Sequence, residues 1–487
     1  MKKIYINVED FDTSVAIVED EKLMNFFIEK NTFAKTGNIY KGKISKVVSN
    51  MNFVFVNIGD KKPAFLSEKE YFDPEAGEFR EIFGDEDDTV DIKPQTSIIG
   101  IFEKGQELIV QAIKEPYNTK GVRLTTNITF PGHFVVYGPF LKHTGISKRI
   151  LNEAERKRLR AIVDEIREEM KEDFGIIIRT QAQGATKDEL GREIKYYMEL
   201  WKQIKEDFKN HKAPHLLYKE HGLPVRVLRE NMDESVEEIV VDSDEVYNEM
   251  MSYTHNIYKK NINIKLYAGA SPLFEYYNIK NQVDNLYKNI VSFKKGGYIK
   301  IDVTEALTVF DVNSGKFKGM DDIEDGLLLM NENAAKEVAR QIVLRNIGGI
   351  IVVDFIDMLK EENKAKIKKV VETELAKSKA AFSVSDISQF GLMEITRKRA
   401  INRIEDMLFE ECKCCNGRGR ILNKESMSID ALKKIKYACK KEPGRNVVVR
   451  MPLAIKLEVE KEYRDKIKEF ERKFLKKITI KEEKAKN

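Results

Sequence analysis

The chain has 487 residues, of which 42% are hydrophobic, and this length exceeds what one hydrophobic core supports, so several folded domains are expected. Its 84 Lys and Arg residues nearly balance 80 Asp and Glu residues, giving a net charge of +4. This balance excludes a strong global field, so any nucleic-acid-binding surface must be a local patch. Four cysteines are too few for a disulfide scaffold.

The N-terminal residues predict no secretory leader, because Glu9 and Asp10 interrupt the chain before an apolar segment can form. No run in the sequence approaches the roughly 20 apolar residues of a membrane span. We therefore expect a cytoplasmic protein with no membrane segment.

Residues 1–36 alternate between apolar and polar side chains, which is typical of short β-strands. The segment is too short to fold alone. Residues 223–280 contain further strand patterns at 225–228 and 262–266. We expect these to complete the sheet that residues 1–36 begin.

Short strands punctuated by glycines follow from residue 38 and predict a small β-barrel. In residues 53–58 aliphatic side chains alternate with phenylalanines, so a core-facing aliphatic row would leave the aromatic rings outside. Exposed rings with basic side chains nearby suit single-stranded nucleic acid. The candidates are Phe53, Phe55, Phe65, Lys114 and Lys120. Packing of the two rings in residues 53–58 against another domain is an equally open alternative.

The middle of the chain mixes acidic, helical and strand patterns. Residues 71–95 are rich in acidic side chains and are predicted to form a solvated insertion. Residues 127–213 combine strands with helices, including a charged amphipathic helix at 151–171 and an apolar strand at 175–180. A linker with Pro214 follows, so a domain boundary is expected there.

Two apolar runs in the C-terminal half each lead into a carboxylate, at Asp311 and at Asp354. Between them, residues 321–346 carry apolar side chains at helical spacing. A strand, helix, strand order favours parallel neighbouring strands. Both carboxylates are then expected at one edge of a sheet.

A carboxylate pair at one sheet edge suits Mg²⁺ or Mn²⁺, which take oxygen ligands and often share them with substrate phosphates. Adjacent strands lie roughly 4.8 Å apart, so Asp311 and Asp354 could share one ion. Asn313 follows on the same face and could orient a ligand or a phosphate. Because Asp is also common in turns and at helix N-termini, a structural role stays open. Asp357 is predicted to be such a helix cap.

Three cysteines cluster at Cys412, Cys414 and Cys415. Cys412 and Cys415 form a CxxC knuckle, which is half of a tetrahedral zinc site. Since Cys439 is distant, the simplest complete site takes the knuckle from each of two chains and predicts a zinc-bridged dimer. A redox-active or incidental cysteine group is the alternative, and Cys414 is either an inert neighbour or an alternative ligand.

Several segments in consistent order along the first 420 residues carry a closer signal. They are NIYKGKI (38–44), KGVRLT (120–125), IRT (178–180), EAL through DVNSG (305–315), IVVDFIDM (351–358), FGLMEITR (390–397) and the CxxC knuckle. This combination closely resembles the bacterial ribonuclease E/G family. Within it we expect the greater similarity to ribonuclease G, because no counterpart of the long disordered tail of ribonuclease E is present.

The resemblance implies a multidomain α+β fold in which an OB-fold barrel is inserted in an RNase H-like domain. The implied domains are a discontinuous RNase H-like domain (1–36 and 214–280), an OB-fold RNA-binding domain (37–126), a 5′-sensor domain (127–213), a DNase I-like catalytic domain (281–404), a zinc-link (405–420) and a small C-terminal domain (421–487). In the last of these the resemblance is weak. Strands at 446–450 and 477–480 around a helix at 457–474 predict a small βαβ domain.

The resemblance also implies roles for individual residues. Asp311 and Asp354 match magnesium-binding catalytic carboxylates, and Asn313 matches an asparagine that assists at the scissile phosphate. Arg179 and Thr180 match a pocket that senses a 5′-monophosphate on the RNA. A guanidinium and a hydroxyl suit a dianionic phosphate in a closed pocket.

Further matches concern RNA binding and zinc. The implied RNA-binding side chains are Phe55, Phe65, Lys114 and Lys120. Cys412 and Cys415 match the zinc-link cysteines that join two protomers in the family. The sequence departs from the family pattern at Lys413 and Cys414, inside the knuckle, and at Lys148, near the implied sensor.

Together these expectations describe a Mg²⁺-dependent endoribonuclease that cuts single-stranded RNA, is stimulated by a 5′-monophosphate and leaves 5′-phosphate and 3′-hydroxyl ends. Ribosomal RNA precursors and messenger RNA are the expected substrates, and a homodimer through the zinc-link, with a dimer of dimers left open, is the expected assembly. One alternative is a non-catalytic RNA-binding or assembly protein, against which Asp311, Asn313 and Asp354 argue together. The other is a metallophosphatase for small phosphate esters, which would not need an aromatic barrel face.

Overall fold

The computed structural model is a mixed α/β protein whose chain divides into a large unit, Met1–Arg403, and a small unit, Ile404–Asn487. The residues that it describes are 1–30, 36–48, 52–71, 101–114, 121–141, 143–172, 174–258, 262–293, 296–315, 323–378, 380–398, 403–410, 412–415, 417 and 419–482. In this part of the chain no helix has the length and apolar composition needed to cross a membrane.

The elements of the large unit are numbered in chain order. Its strands are β1 (Lys2–Val8), β2 (Asp12–Glu19), β3 (Lys22–Lys30), β4 (Ile39–Val48), β5 (Phe53–Asn57), β6 (Ala64–Ser67), β7 (Glu107–Lys114), β8 (Arg123–Thr125), β9 (Phe130–Pro131), β10 (Val135–Gly138), β11 (Thr144–Ile146), β12 (Gly175–Ile178), β13 (His215–Tyr218), β14 (Val236–Val241), β15 (Ile264–Leu266), β16 (Ile290–Ser292), β17 (Tyr298–Val303), β18 (Leu307–Asn313), β19 (Gly349–Asp354), β20 (Phe382–Val384) and β21 (Leu392–Arg397). Its helices are α1 (Glu153–Met170), α2 (Lys187–Asn210), α3 (Leu223–Asn231), α4 (Asp244–Ile257), α5 (Leu273–Tyr276), α6 (Lys280–Asp284), α7 (Ile323–Leu344) and α8 (Glu361–Ala376).

The first sheet has the strand order β15-β14-β1-β2-β3. Residues 1–30 therefore begin a sheet that later strands complete, as predicted. The strand predicted at 225–228 is wrong, because these residues lie in α3. Val225, Val227 and Leu228 are all buried, so the apolar run has no period that separates strand from helix, and Pro224 in the first turn favours the helix.

The second sheet is a closed five-stranded barrel of order β4-β5-β6-β8-β7, because β4 also pairs with β7. Val54 and Val56 are fully buried inside it while Phe53 and Phe55 are half-buried, which confirms the predicted alternation. β13 extends the barrel sheet by pairing with β4. Strand pairing thus crosses the implied boundary at residue 214.

A third sheet, of order β11-β12-β10-β9, packs with α1 and α2 around one apolar core. The predicted amphipathic helix and the apolar strand after it are confirmed as α1 and β12. Asn152 caps α1 by accepting from the backbone N–H of Ala154 at 2.9 Å. Thr186 and Glu189 form a capping box at the start of α2.

The fourth sheet has the order β16-β17-β18-β19-β21-β20. β18 and β19 are parallel neighbours, and α7 is the crossover between them. Its buried face, which includes Ala335, Val338 and Ile342, joins the core of the sheet. This strand, helix, strand unit was predicted from apolar spacing, and it is confirmed.

The small unit contains α9 (Ile404–Leu408), α10 (Lys424–Lys441), β22 (Asn446–Met451), α11 (Leu453–Glu462), α12 (Arg464–Phe474) and β23 (Lys477–Glu482). β22 and β23 are parallel, and helices connect them, so the βαβ prediction is confirmed. The single predicted connecting helix is instead two helices that meet at Tyr463.

Candidate functional site

Asp311 and Asp354 are cross-strand neighbours at the ends of β18 and β19, in register with one another. Parallel neighbouring strands lie roughly 4.8 Å apart, so the two carboxylates leave the sheet side by side. Asp354 is exposed and Asp311 is half-buried. The predicted meeting of the two strand ends at one edge is confirmed.

This edge carries excess negative charge. Partial burial raises the pKa of Asp354, and the neighbouring carboxylates of Asp311 and Asp357 raise it further. Among the described residues, no lysine or arginine forms an ion pair with any of these three carboxylates. A cation from outside the chain would relieve the repulsion.

The predicted capping role of Asp357 is wrong. α8 begins at Glu361 with Lys360 as its N-cap residue. Glu324 instead accepts from the backbone N–H groups of Leu359 and Lys360, at 3.3 and 3.0 Å. Asp357 is left exposed beside the carboxylate pair, and sequence reasoning misassigned it because a helix does begin shortly after it.

Gly391 marks where the carboxylates converge. A Cβ atom on this residue would lie 3.2 Å from Oδ1 of Asp357 and 3.9 Å from Oδ1 of Asp354. Its φ of +77° is also unfavourable for other residues. The position therefore suits glycine for two independent reasons.

Asn313 lies two residues beyond Asp311 on the same strand and is half-buried. Successive residues of a strand alternate in direction, so Asp311 and Asn313 share a face. The side-chain Nδ2 of Asn313 donates to the backbone carbonyl of Asp311 at 3.4 Å. The amide thus sits next to the carboxylate edge.

The donor set at this edge fits Mg²⁺. Within the described ranges, no three His, Cys, Asp or Glu side chains form a complete metal cluster. Mg²⁺ does not require one, because it keeps several waters and is usually held by one or two carboxylates together with substrate phosphates. Two crowded carboxylates that pair with no cation among the described residues match that requirement.

The barrel presents a continuous row of residues across five strands. Register pairs one residue with the next from β4 through β5, β6 and β8 to β7, and directly opposed residues share a face. The row is Lys46, Phe55, Phe65, Arg123 and Lys114. The side chain of Lys114 and all of Lys120 lie outside the described residues. Sequence reasoning missed Lys46 and Arg123, since only the strand register reveals them.

Arg179 already has a carboxylate partner. Its Nη2 donates to both carboxylate oxygens of Glu230 at 2.7 Å, and its Nη1 donates to the backbone carbonyl of Gly132. The hydroxyl groups of Thr180 and Ser147 are 3.2 Å apart. Arg179 and Thr180 are consecutive in the sequence, and their side chains have different partners: Glu230 for the guanidinium and Ser147 for the hydroxyl.

Glu193 is a second carboxylate close enough to Arg179 for its charge to be felt. It is fully buried on α2 and accepts from the backbone N–H groups of His133, Phe134 and Val135, at 2.5, 2.8 and 2.9 Å. Burial raises the pKa of Glu193 to about 7, against the opposing effect of the three N–H donors and Arg179. A charged helix gives no sequence signal that one of its glutamates is buried.

The cysteine knuckle has the chemistry of a half zinc site. Backbone N–H groups of Cys415 and Cys414 lower the pKa of the Cys412 thiol, and the Cys415 side chain lowers it further. The backbone N–H of Gly419 donates to Sγ of Cys415 at 3.3 Å. Cys439 is buried in the core of the small unit, so three cysteines remain near the knuckle. The CxxC pair Cys412 and Cys415 supplies half of the four ligands that zinc prefers.

Comparison with known proteins decides the family. The model of the "Ribonuclease E/G family" matches residues 129–400. Ribonuclease G of Escherichia coli (strain K12) is 36% identical over 438 residues, which cover 89% of this chain and 87% of that protein. The chain belongs to the ribonuclease E/G family.

Other members of the ribonuclease E/G family agree. Ribonuclease G of Salmonella typhimurium is 34% identical over 89% of this chain and 87% of that protein. Ribonuclease E of Haemophilus influenzae is 33% identical over 93% of this chain but only 48% of that protein. The family's thioredoxin-like domain model matches residues 411–487, a range that contains the cysteine knuckle and the predicted βαβ domain of residues 421–487.

Proposed function

We propose that this protein is a Mg²⁺-dependent endoribonuclease that cuts single-stranded RNA at the edge formed by Asp311 and Asp354. The observation that carries the proposal is the in-register pairing of these two carboxylates at the ends of parallel strands. Membership of the ribonuclease E/G family supports RNA as the substrate. It also supports a role in RNA processing and decay.

Each polar group at the edge has a task in hydrolysis. Asp311 and Asp354 would hold Mg²⁺, which when bound lowers the pKa of water and stabilises charge on a phosphate. Asn313 would orient the scissile phosphate through its amide. Asp357 adds negative charge that strengthens cation binding at the pair.

The row of residues on the barrel would hold the RNA strand near the cleavage site. Phe55 and Phe65 would stack on bases, each worth roughly 1–3 kcal/mol. Lys46, Arg123 and Lys114 would meet the phosphate backbone, and we also propose Lys120 as a basic contact.

Arg179 and Thr180 would bind a 5′-monophosphate and so stimulate cleavage of RNA that carries one. A guanidinium already oriented by Gly132 and backed by Glu193 supports this proposal. The phosphate must displace Glu230, so sensing is an exchange of one anion for another.

The assembly and layout complete the proposal. Cys412 and Cys415 would bind Zn²⁺ together with the same pair of a second chain, giving a homodimer, with a dimer of dimers as a further step. Residues 1–36 with 214–280 would form the RNase H-like domain, 37–126 the OB-fold, 127–213 the 5′-sensor and 281–404 the DNase I-like domain. The zinc-link would be residues 405–420. The protein would act in the cytoplasm, and its substrates would be rRNA precursors and mRNA.

Cleavage of a 5′-monophosphorylated A/U-rich oligonucleotide tests the proposal. With Mg²⁺ the wild type should yield 5′-phosphate products, and with a chelator it should yield none. Asp354→Asn should abolish cleavage, whereas Asp302→Asn should not, because Asp302 lies on the neighbouring strand β17 paired with Lys300. Cleavage by Asp354→Asn at the wild-type rate would contradict the assignment, and equal activity on a chromogenic phosphate ester would favour a phosphatase.

A further inference from the structure

Phe390 lies at the tip of a turn that is fixed against the carboxylate edge. The turn closes where the backbone N–H of Gly391 donates to the carbonyl of Ser388 at 3.0 Å. The hydroxyl of Ser388 accepts from the N–H of Phe390 at 3.3 Å. β21 then begins at Leu392, which is the cross-strand neighbour of Asp354.

The turn is joined to the end of β19 as well. The backbone N–H of Phe355 donates to the carbonyl of Gly391 at 3.3 Å. A Cβ added to Gly391 would lie 3.2 Å from Oδ1 of Asp357 and 3.9 Å from Oδ1 of Asp354, so the backbone of the turn runs close to both carboxylates. Phe390 precedes Gly391, so its Cα lies about 3.8 Å along the backbone from that glycine, on a turn that adjoins the charged edge.

The Phe390 side chain is 73% exposed. Leu359, two residues beyond Asp357, is 91% exposed. Neither side chain can bind a metal ion or a phosphate. An exposed ring beside a phosphodiester-cutting site is instead suited to the flat face of a nucleobase.

We propose that Phe390 stacks on a nucleobase of the nucleotide next to the scissile phosphate. The occupant is RNA because the turn that carries Phe390 adjoins the carboxylates that would hold the cut, and each base of the strand is linked through its ribose to a phosphate. The inference rests on the proposed placement of the cut at Asp311 and Asp354. Stacking accepts any base, so it positions the strand without setting a sequence preference.

Phe390→Ala and Phe390→Trp test this role with single-stranded RNA. Alanine should lower kcat/KM roughly tenfold or more, and tryptophan should restore most of it because a ring is regained. Phe11→Ala is the matched control, since Phe11 is 68% exposed in the loop between β1 and β2. It should leave activity unchanged.

Substrates with one abasic nucleotide on either side of the cut separate stacking from a structural role. If Phe390 stacks on the missing base, the wild-type protein should cleave one of these substrates more slowly than intact RNA. Phe390→Ala should then cleave that substrate at the same rate as the wild type. An alanine defect of equal size on every abasic substrate would overturn the proposal, as would an unchanged rate on intact RNA.

Two measurements distinguish other outcomes. A lower oligomer mass for Phe390→Ala, measured by light scattering, would show that a second copy of the chain covers the ring and would overturn the proposal. Asp354→Asn is assayed in parallel: if it still cuts, the placement of the cut fails, whereas a normal Phe390→Ala rate beside an inactive Asp354→Asn refutes only the stacking role.

Discussion

The carboxylate edge and the Arg179 pocket are opposite in their charge balance. At the edge, Asp311, Asp354 and Asp357 crowd together, and the described part of the chain provides no ion-pair partner for them. In the pocket, Arg179 already holds the Glu230 carboxylate with two hydrogen bonds of 2.7 Å. If the proposal holds, the first site would gain a charge that it lacks when a cation binds, and the second would exchange the carboxylate that it already holds for a phosphate.

This difference has energetic consequences. A cation bound at the edge would relieve the like-charge repulsion between the carboxylates, and this relief would increase the affinity of the edge for the cation. A phosphate that bound Arg179 as proposed would have to displace the Glu230 carboxylate. Its net affinity would then be the difference between two similar interactions. We therefore expect changes at the edge to have large effects and changes to the pocket's anion to have small ones.

Removal of one edge carboxylate should have the largest effect. Asp311→Asn is expected to lower kcat roughly a thousandfold, because electrostatic stabilisation by a metal is worth several kcal/mol. Single-turnover cleavage measures this, with RNA affinity as the companion measurement. If Asp311→Asn lowered the affinity for RNA roughly a thousandfold but left kcat unchanged, a role of Asp311 in the chemical step would be contradicted.

Glu193 should make stability depend on pH. Burial raises its folded pKa to about 7 from an ordinary value of 4.5, so the stabilising form is the neutral one. Its contribution is present below pH 4.5 and is lost as the pH rises through 7, by at most about 3 kcal/mol.

Denaturant unfolding between pH 4.5 and 8 measures the effect of Glu193→Gln. The variant should flatten the decline of the free energy of unfolding with pH. The control is Glu199→Gln, on the exposed face of the same helix, which should keep the wild-type slope. A wild-type slope for Glu193→Gln would show that this carboxylate is ionised throughout the range.

Gly391→Ala should disturb the edge without removing any charge. Its new Cβ would lie 3.2 Å from Oδ1 of Asp357, and a shifted carboxylate is expected to lower kcat/KM roughly ten- to a hundredfold. Gly184→Ala is the control, because Gly184 has a similar φ of +76° and nothing within 4 Å of its added Cβ. Equal losses in both variants would attribute the effect to backbone strain alone.

Glu230→Gln should have the smallest effect on cleavage. The direction in which it changes the preference for 5′-monophosphorylated RNA is the informative result. If Glu230 competes with phosphate, its neutral replacement should increase the preference for 5′-monophosphorylated over 5′-hydroxylated RNA by roughly two- to fivefold. The ratio of kcat/KM values on the two substrates measures this, with the exposed Glu234→Gln as control. A decreased preference would mean that Glu230 orients Arg179 for the phosphate.

The sequence predicted the edge better than the pocket for a physical reason. Strand periodicity and a helical crossover suffice to bring Asp311 and Asp354 together, since parallel strands meet at one end of a sheet. The partners of Arg179 come from distant segments: Glu193 lies on α2 and Glu230 on α3, and no local pattern marks either. Lys46 joins the barrel row only through register, where a bulge in β4 shifts the pairing.

Local ambiguity explains the remaining errors. Residues 225–228 are apolar on all sides and were predicted as a strand, although they lie in α3. Asp357 resembled a helix cap because α8 follows, but Glu324 from α7 supplies the carboxylate that the N-terminus of α8 needs. A cap that comes from another helix leaves no trace in the local sequence.

Counting bound metal ions tests the central claim most directly. Mn²⁺ titration followed by electron paramagnetic resonance should reveal a site in the wild type that is lost when Asp311 and Asp354 are both replaced by Asn. The Asp302→Asn variant should retain it. An unchanged number and affinity of bound ions in the double variant would contradict the view that this edge is completed by a divalent cation.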